Sequence, residues 1–341
     1  MIETNSIALV FFAFLLVIGV AVTVQRNLFA ASMLTGIFSL VSAALFTLMD
    51  AVDVAFTEAA VGAGFSTVLF LATLALTKDT EKPGVKRPFA ATFVVLLTGG
   101  ALIYGTLDMP AWGTSEAPIH AHTASYFVTH SITDIGLPNI VTSVLASYRG
   151  YDTFGELLVV FTAGTGVTLL MQRKGLFRPG ALAIPPKSRA PYVREMPVVR
   201  AVAKTMLPFI LLFALYVQAH GDFGPGGGFQ AGVIFATGFV LYGLIWGPAK
   251  LQPIIGGRPV QGLMASGVLL YGGVGVFCLL MGYPFLDYSA LTPDHPVHGQ
   301  HYGIFLVELG VGITVSAVML IIYFVFSVRP RVGRGAGELG P

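Results

Sequence analysis

The sequence predicts an all-α protein, a polytopic integral membrane helical bundle with about nine transmembrane helices. Three observations carry that prediction. Apolar residues make up 55% of the 341-residue chain and only 11% is charged, and the mean hydropathy of +0.80 lies outside the range of an ordinary globular domain. The apolar residues gather in runs of spanning length, since a hydrocarbon core of about 30 Å takes about 20 helical residues. Apart from Arg149, the basic residues of the connections fall in alternate ones, as loops held on the cytoplasmic side require.

The runs come in order. Ile7–Val24 follows the short start Met1–Ser6, without the basic start or small-residue cleavage site of a secretory signal, so this helix is expected to stay in the mature protein. Leu28–Leu48 and Val54–Leu76 come next, closed by the charged joint TKDTEKPGVKR at 77–87. Phe89–Leu107 and Thr153–Met171 flank a more polar stretch, Tyr126–Ser147, which holds His130, Asp134, a Gly136-Leu137-Pro138 break and Asn139. If that stretch crossed, the basic Arg173–Arg200 connection would face outward, against the positive-inside rule. Residues 139–149 are therefore expected to form a short helix at the outer surface or dipping partway in. Segment 172–200 is basic, carries five prolines and lacks a helical apolar period, the pattern of a cytoplasmic linker. Ala201–Ala219, Ala231–Trp246, Gly262–Met281 and Gly303–Val328 complete the set.

The resulting division is a three-helix unit (1–77), a two-helix unit with a surface helix (78–171), the linker (172–200), a four-helix unit (201–328) and a tail (329–341). The N-terminus is expected outside and the C-terminus in the cytoplasm, in the cell membrane of a prokaryote. A net charge of +2 points to no nucleic-acid partner. The single cysteine, Cys278, lies in an apolar run and supports neither a disulfide frame nor a thiolate cluster.

Three acids stand alone inside these runs: Glu58 in VAFTEAAVGAGFSTVLFL, Glu156 in TFGELLVVFTAG and Glu308 in HYGIFLVELGVGITVSAV. An acid in hydrocarbon is costly unless it is protonated, paired or facing water, so such positions mark proton or ion routes. Small residues around Glu58 allow close helix approach and a local π-bulge that would free a carbonyl beside the acid. Glu308 is expected deep in its span beside Gly310 and Gly312. Glu156 is expected near the outer end of its helix, where the macrodipole also favours an acid for structural reasons. We rank them Glu58, Glu308, Glu156.

The most specific local motif is His220-Gly221-Asp222-Phe223-Gly224-Pro225-Gly226-Gly227-Gly228-Phe229-Gln230. It lacks the Lys-Ser/Thr and the preceding strand of a phosphate-binding loop. The run that follows it is short, so the glycines are expected at membrane depth, where irregular backbone must pack on protein or line a cavity. Asp222 is expected to cap the adjacent helix or hold a neighbouring cation. Pro225, Gly226, Gly227 and Gly228 shape the loop. His120 with His122, and His295, His298 and His301, fall in stretches rich in proline and glycine without an HExxH-type helix, so no metal is assigned. His130 is a candidate relay toward the Arg149–Glu156 region. No cofactor box and no hydrolase or peptidase constellation is present within the spans.

The run GDFGPGGGFQAGVIFATGFVLYGL, four spans, and the acid of LVELGVGI resemble the B subunit of the multisubunit Mrp-type Na+/H+ antiporters over residues 195–330. The first half resembles the C-terminal part of the A subunit of those complexes, equivalent to the D and E subunits of membrane-bound hydrogenases, through AFTEAAVGAG and NIVTSVLASYRGYDTFGE. The latter matches the family pattern from Asn139 through Arg149, Gly150, Asp152, Thr153 and Gly155 to Glu156, and departs from it at Ser147, where an acid commonly stands. The resemblance implies a component of a monovalent cation (Na+)/proton antiporter that contributes proton-carrying glutamates and assembly surfaces. It implies partners in large A- and D-type ion-translocating subunits and small C, E, F and G subunits within a lipid bilayer. The chain lacks the broken spans and Lys/Glu axis of the large subunits, so it is not expected to transport alone. Lys204, at the start of the sixth span, reads as a snorkelling lysine. A redox-driven complex and a structural scaffold are the alternative settings.

Overall fold

The computed structural model describes residues 2–74, 77, 79–81, 88–111, 113–170 and 196–327. Most of the expected linker and the expected tail lie outside these residues. Among the described residues, eight helices are long and apolar enough to cross a membrane. They are α1 (Ile2–Val24), α2 (Leu28–Leu48), the composite Val52–Leu74, α9 (Gly150–Leu170), α10 (Pro197–His220), α11 (Gly228–Trp246), α13 (Arg258–Leu280) and α14 (Pro296–Ser327). A short helix, α12 (Pro248–Leu251), lies between α11 and α13. A shorter apolar helix, α5 (Pro88–Gly105), occupies the fourth expected run. Each of the nine expected runs thus holds a helix among the described residues, and the protein is a multi-pass helical membrane protein.

The composite third span joins α3 (Val52–Glu58), a π-helix π1 (Ala59–Ser66) and α4 (Thr67–Leu74). The wider π turn falls on AAVGAGFS, where small side chains tolerate the bulge. The Gly62 carbonyl accepts from Ser66 Oγ at 2.6 Å and Thr67 Oγ1 at 3.4 Å, so hydroxyls satisfy what the altered ladder releases. The turn before α2 is fixed twice: Asn27 caps it through Ala30 N–H at 3.0 Å, and Leu28 N–H donates to Asp79 O at 2.8 Å.

Tyr126–Ser147 does not form one span. It divides into α7 (Thr123–Asp134), a break at 135–139, and α8 (Ile140–Ser143) running into a second π-helix, π2 (Val144–Tyr148). Helix α6 (Pro118–Ala121) precedes them. Asn139 ends the break by accepting Val141 N–H at 3.0 Å, an N-cap bond.

Helix α14 is the axis of the second half, packed on α11, α13, α9 and a 3-10 turn at Tyr288–Leu291. Its buried residues Ile304, Val307, Val311, Val315, Val318 and Ile321 meet Val233, Ala236 and Val240 of α11, and Tyr271 and Cys278 of α13, in one core. In a bilayer this packing rests on close van der Waals fit rather than transfer from water, so small residues matter most. At Gly232 a Cβ would stand 2.8 Å from Gly312 O, and at Gly310 a Cβ would stand 2.7 Å from Gly267 O. Helix α1, by contrast, turns most of its apolar side chains outward. Pro208 interrupts the ladder of α10, and Lys204, one turn earlier, is exposed.

Several helices start earlier than their apolar runs. Helix α14 begins at Pro296 rather than near Gly303, because proline suits the first helical position, which places His298 and His301 on the helix. Helix α11 begins at Gly228, three residues before the expected span.

Candidate functional site

The glycine loop lies between the two halves of the chain, and groups from both hold it. Asn139 Nδ2 donates to Gly221 O at 3.0 Å and Gly224 O at 2.9 Å, and Thr142 Oγ1 donates to Gly221 O at 2.7 Å. Asn139 N–H donates to Asp222 O at 3.2 Å. Asn139 therefore caps its own helix with its oxygen and fastens the loop with its nitrogen. Replacing it with Ala leaves two carbonyls without that donor and is expected to cost about 1–3 kcal/mol, measurable as a lower apparent melting temperature of the purified protein.

The end of the loop faces acids. Gly226 N–H donates to Asp53 Oδ1 at 3.2 Å, and Gly228 N–H, at the start of α11, donates to Glu308 Oε2. Gly227 has φ +116°, a backbone that L side chains rarely adopt, and a Cβ there would stand 2.9 Å from Glu308 Oε2. Gly228 packs so closely on α14 that a Cβ would overlap Glu308 O. The glycines serve a tight turn and a close helix approach. Together they expose N–H groups at a helix start to a carboxylate, a favourable placement for negative charge.

Asp53, Glu156 and Glu308 line one cavity of about 160 Å³, together with Thr57, Thr142, Thr153 and Gln230. That volume has room for several waters. Gln230 Nε2 donates to Thr57 Oγ1 at 3.0 Å, tying α11 to α3 across the cavity. Two buried tyrosines anchor π2 and the start of α9, the helix that carries Glu156: Tyr288 OH donates to Ala146 O at 2.8 Å and Tyr271 OH to Gly150 O at 2.9 Å. Burial holds the Tyr288 phenol far above its ordinary range, so it acts as a neutral donor. Chemically, the cavity gathers three carboxyl groups, with hydroxyl and amide groups between them.

The structure thus brings Glu156 and Glu308 together and adds Asp53, Thr57 and Gln230, which no local sequence pattern singles out. Glu58 stands apart from this lining: its Oε1 lies beside Gly62, near Ser39 of α2. Asp222 caps no helix through its side chain; its Oδ2 stands 3.1 Å from His301 Nδ1. His130 stacks on Tyr126, ring centroids 4.3 Å apart. Tyr126 OH donates to Asp134 Oδ2 at 3.2 Å, as does Tyr148 OH at 2.8 Å. The Tyr148 hydrogen bond holds the Asp134 carboxyl below its ordinary range, so this group stays ionised. Arg149 pairs with Asp152, Nε to Oδ2 2.6 Å, and Ser147 donates to Gln300 Oε1 at 2.7 Å, a neutral pair at the position where the sequence departs from the family pattern.

Three family models match successive parts of the chain. Residues 13–79 match the D subunit of MBH, residues 93–190 match the E subunit of MBH, and residues 198–321 match a domain related to the MnhB subunit of Na+/H+ antiporter. The chain is 27% identical over 331 residues to a probable K(+)/H(+) antiporter A/B subunit of Rhizobium meliloti (strain 1021), covering 89% of this chain and 32% of that one. It is 32% identical over 127 residues to the "Putative antiporter subunit mnhB2" of Staphylococcus aureus (strain Newman), covering 36% of this chain and 88% of the relative. Among solved structures, the Mrp complex from Dietzia sp. DQ12-45-1b matches with a TM-score of 0.69 at 24% identity, over 96% of this chain and 35% of that chain, which establishes a common fold. The archaeal membrane-bound sulfane sulfur reductase, a respiratory membrane complex, matches with a TM-score of 0.55 at 28% identity, over 71% of this chain and 98% of that chain. The chain spans about a third of the length of the Rhizobium relative. Through residues 198–321 it belongs to the family of MnhB-type antiporter subunits, preceded in the same polypeptide by segments matching the D and E subunits of MBH.

Proposed function

We propose that this chain is a subunit of a multisubunit monovalent cation/proton antiporter, and that it contributes proton-carrying carboxylates and assembly surfaces rather than a complete transport path. The observation that supports this reading is the cavity in which Asp53, Glu156 and Glu308, from both halves of the chain, meet across the glycine loop. A carboxylate facing enclosed water inside a membrane span can change protonation as the local hydration or helix packing changes, and that is the step an antiporter couples to cation movement. The cation is Na+ or K+, the ions in the names of the relatives. The partners are large A- and D-type subunits and small C, E, F and G subunits. The N-terminus faces outward and the C-terminus the cytoplasm, in the cell membrane, with the basic connections inside.

Glu58 belongs to the same proposal as a second proton station. It precedes the π turn and sits beside Gly62 rather than in the cavity. Glu58→Gln is expected to abolish antiport by the assembled complex while assembly itself, read by co-purification, is unchanged. Normal cation-dependent proton movement in that variant would remove Glu58 from the path.

A second reading sets the same polypeptide in a redox-driven complex, as the fold match to the sulfane sulfur reductase suggests. The proteins that co-purify decide between them: large antiporter-type subunits alone favour the first, iron–sulfur subunits the second.

A further inference from the structure

The glycine loop is fastened to α14 at two places, one on each side of its turn. At its end, Gly228 N–H bonds to Glu308; at its start, buried Asp222 faces His301, Nδ1 to Oδ2 3.1 Å. His301 and Glu308 stand about two helical turns apart on α14, which places them on the same face. Between the two fastenings the loop presents Gly226 N–H to Asp53. We infer that His301 is a positioning residue whose charge latches the glycine loop against α14, so that the local pH sets how firmly the loop presents its N–H groups to the cavity acids. For its effect on transport this rests on the antiporter reading; the latch itself does not.

The physical argument concerns a buried acid. Asp222 is buried while half of the His301 side chain remains open. Burial raises the Asp222 carboxyl above its ordinary range, and His301 opposes that shift. An imidazole is the side chain whose ordinary titration falls across neutral pH. With a neutral imidazole as its partner, Asp222 is a buried carboxylate facing no charge, and the contact loses its charge-assisted part. The titratable groups around the latch can be told apart. Asp53 and Glu308 face the loop from α3 and α14, and as acids they lose charge as pH falls. His220, at the end of α10, lies 2.9 Å from where a Cβ on Gly224 would stand. Across the start of α14, Gln300 pairs with Ser147, and both are uncharged. An alkaline change in the loop therefore has two candidate sources, His301 and His220, and substitution separates them.

The test is hydrogen exchange of the Gly226 and Gly228 amides in the full chain within its assembled complex, between pH 6 and 8, corrected for intrinsic base catalysis. The wild type is expected to lose about tenfold in protection as pH rises, the scale of a lost charge-assisted hydrogen bond. His301→Gln keeps a donor without a titrating charge and should flatten that loss; Asp222→Asn should flatten it as well; His220→Gln should leave it intact. A wild-type chain with no alkaline loss, a His301→Gln variant that keeps it, or a His220→Gln variant that abolishes it would each overturn the inference. Antiport followed across external pH is the second readout, and His301→Gln should flatten its alkaline decline. An alkaline loss of protection in a complex that moves no cations keeps the latch and sinks the antiporter reading instead.

Discussion

Glu308→Gln in the assembled complex is expected to lower cation-dependent proton movement by about a hundredfold or more, the scale on which a positioned proton-transfer group contributes. The substitution isolates proton carriage from structure. A glutamine oxygen can still accept the Gly228 N–H bond that Glu308 accepts, so the loop keeps its fastening and the complex its assembly. The side chain keeps its shape but loses its charge and its ability to bind and release a proton. The measurement is proton uptake by membrane vesicles on a cation pulse, normalised to the amount of complex. Glu308→Ala differs in kind, because it removes the acceptor as well and is expected to lower both assembly and transport.

Among the described glycines, Gly228→Ala is expected to be the most damaging added methyl group. Its Cβ would overlap the Glu308 backbone carbonyl and approach Val311 Cβ. A backbone carbonyl inside a helix cannot swing aside as a long side chain can, so α11 and α14 must separate where they pack most closely. Overpacking costs of about 1–3 kcal/mol are ordinary, and this site belongs at the upper end. The apparent melting temperature and the yield of assembled complex should both fall. Gly262→Ala, whose added Cβ meets nothing within 4 Å, is the matched control and should leave both unchanged.

The architecture was legible in the sequence because a bilayer imposes it. Runs of about 20 apolar residues have one economical solution, the helix, and each of the nine holds one among the described residues. The π turn after Glu58 was legible for a similarly local reason, since AAVGAG offers small side chains to a wider turn. The convergence of acids was not. Asp53 sits at the edge of its apolar run, where an acid is ordinarily interfacial; only the glycine loop, far away in sequence, folds back and makes it a cavity wall. Nothing in the local pattern of residues 53, 156 and 308 says that they share one space, because helix packing decides that. Proline and glycine around His301 resemble a connection rather than a helix. Pro296 instead opens α14, and the helix carries His301 to Asp222. The same applies to Asn139, whose capping role is a local signal while its two bonds to the glycine loop are long-range. A Ser/Thr/Asn/Asp cap beside a distant glycine-rich turn is the one clue that could have linked them.

The most direct measurement of the central claim is transport by a complex in which all three cavity acids are neutral, Asp53→Asn with Glu156→Gln and Glu308→Gln, assembled to wild-type level. The cavity account predicts that cation-dependent proton movement disappears while the composition of the complex is unchanged. Wild-type rates in that complex would contradict it.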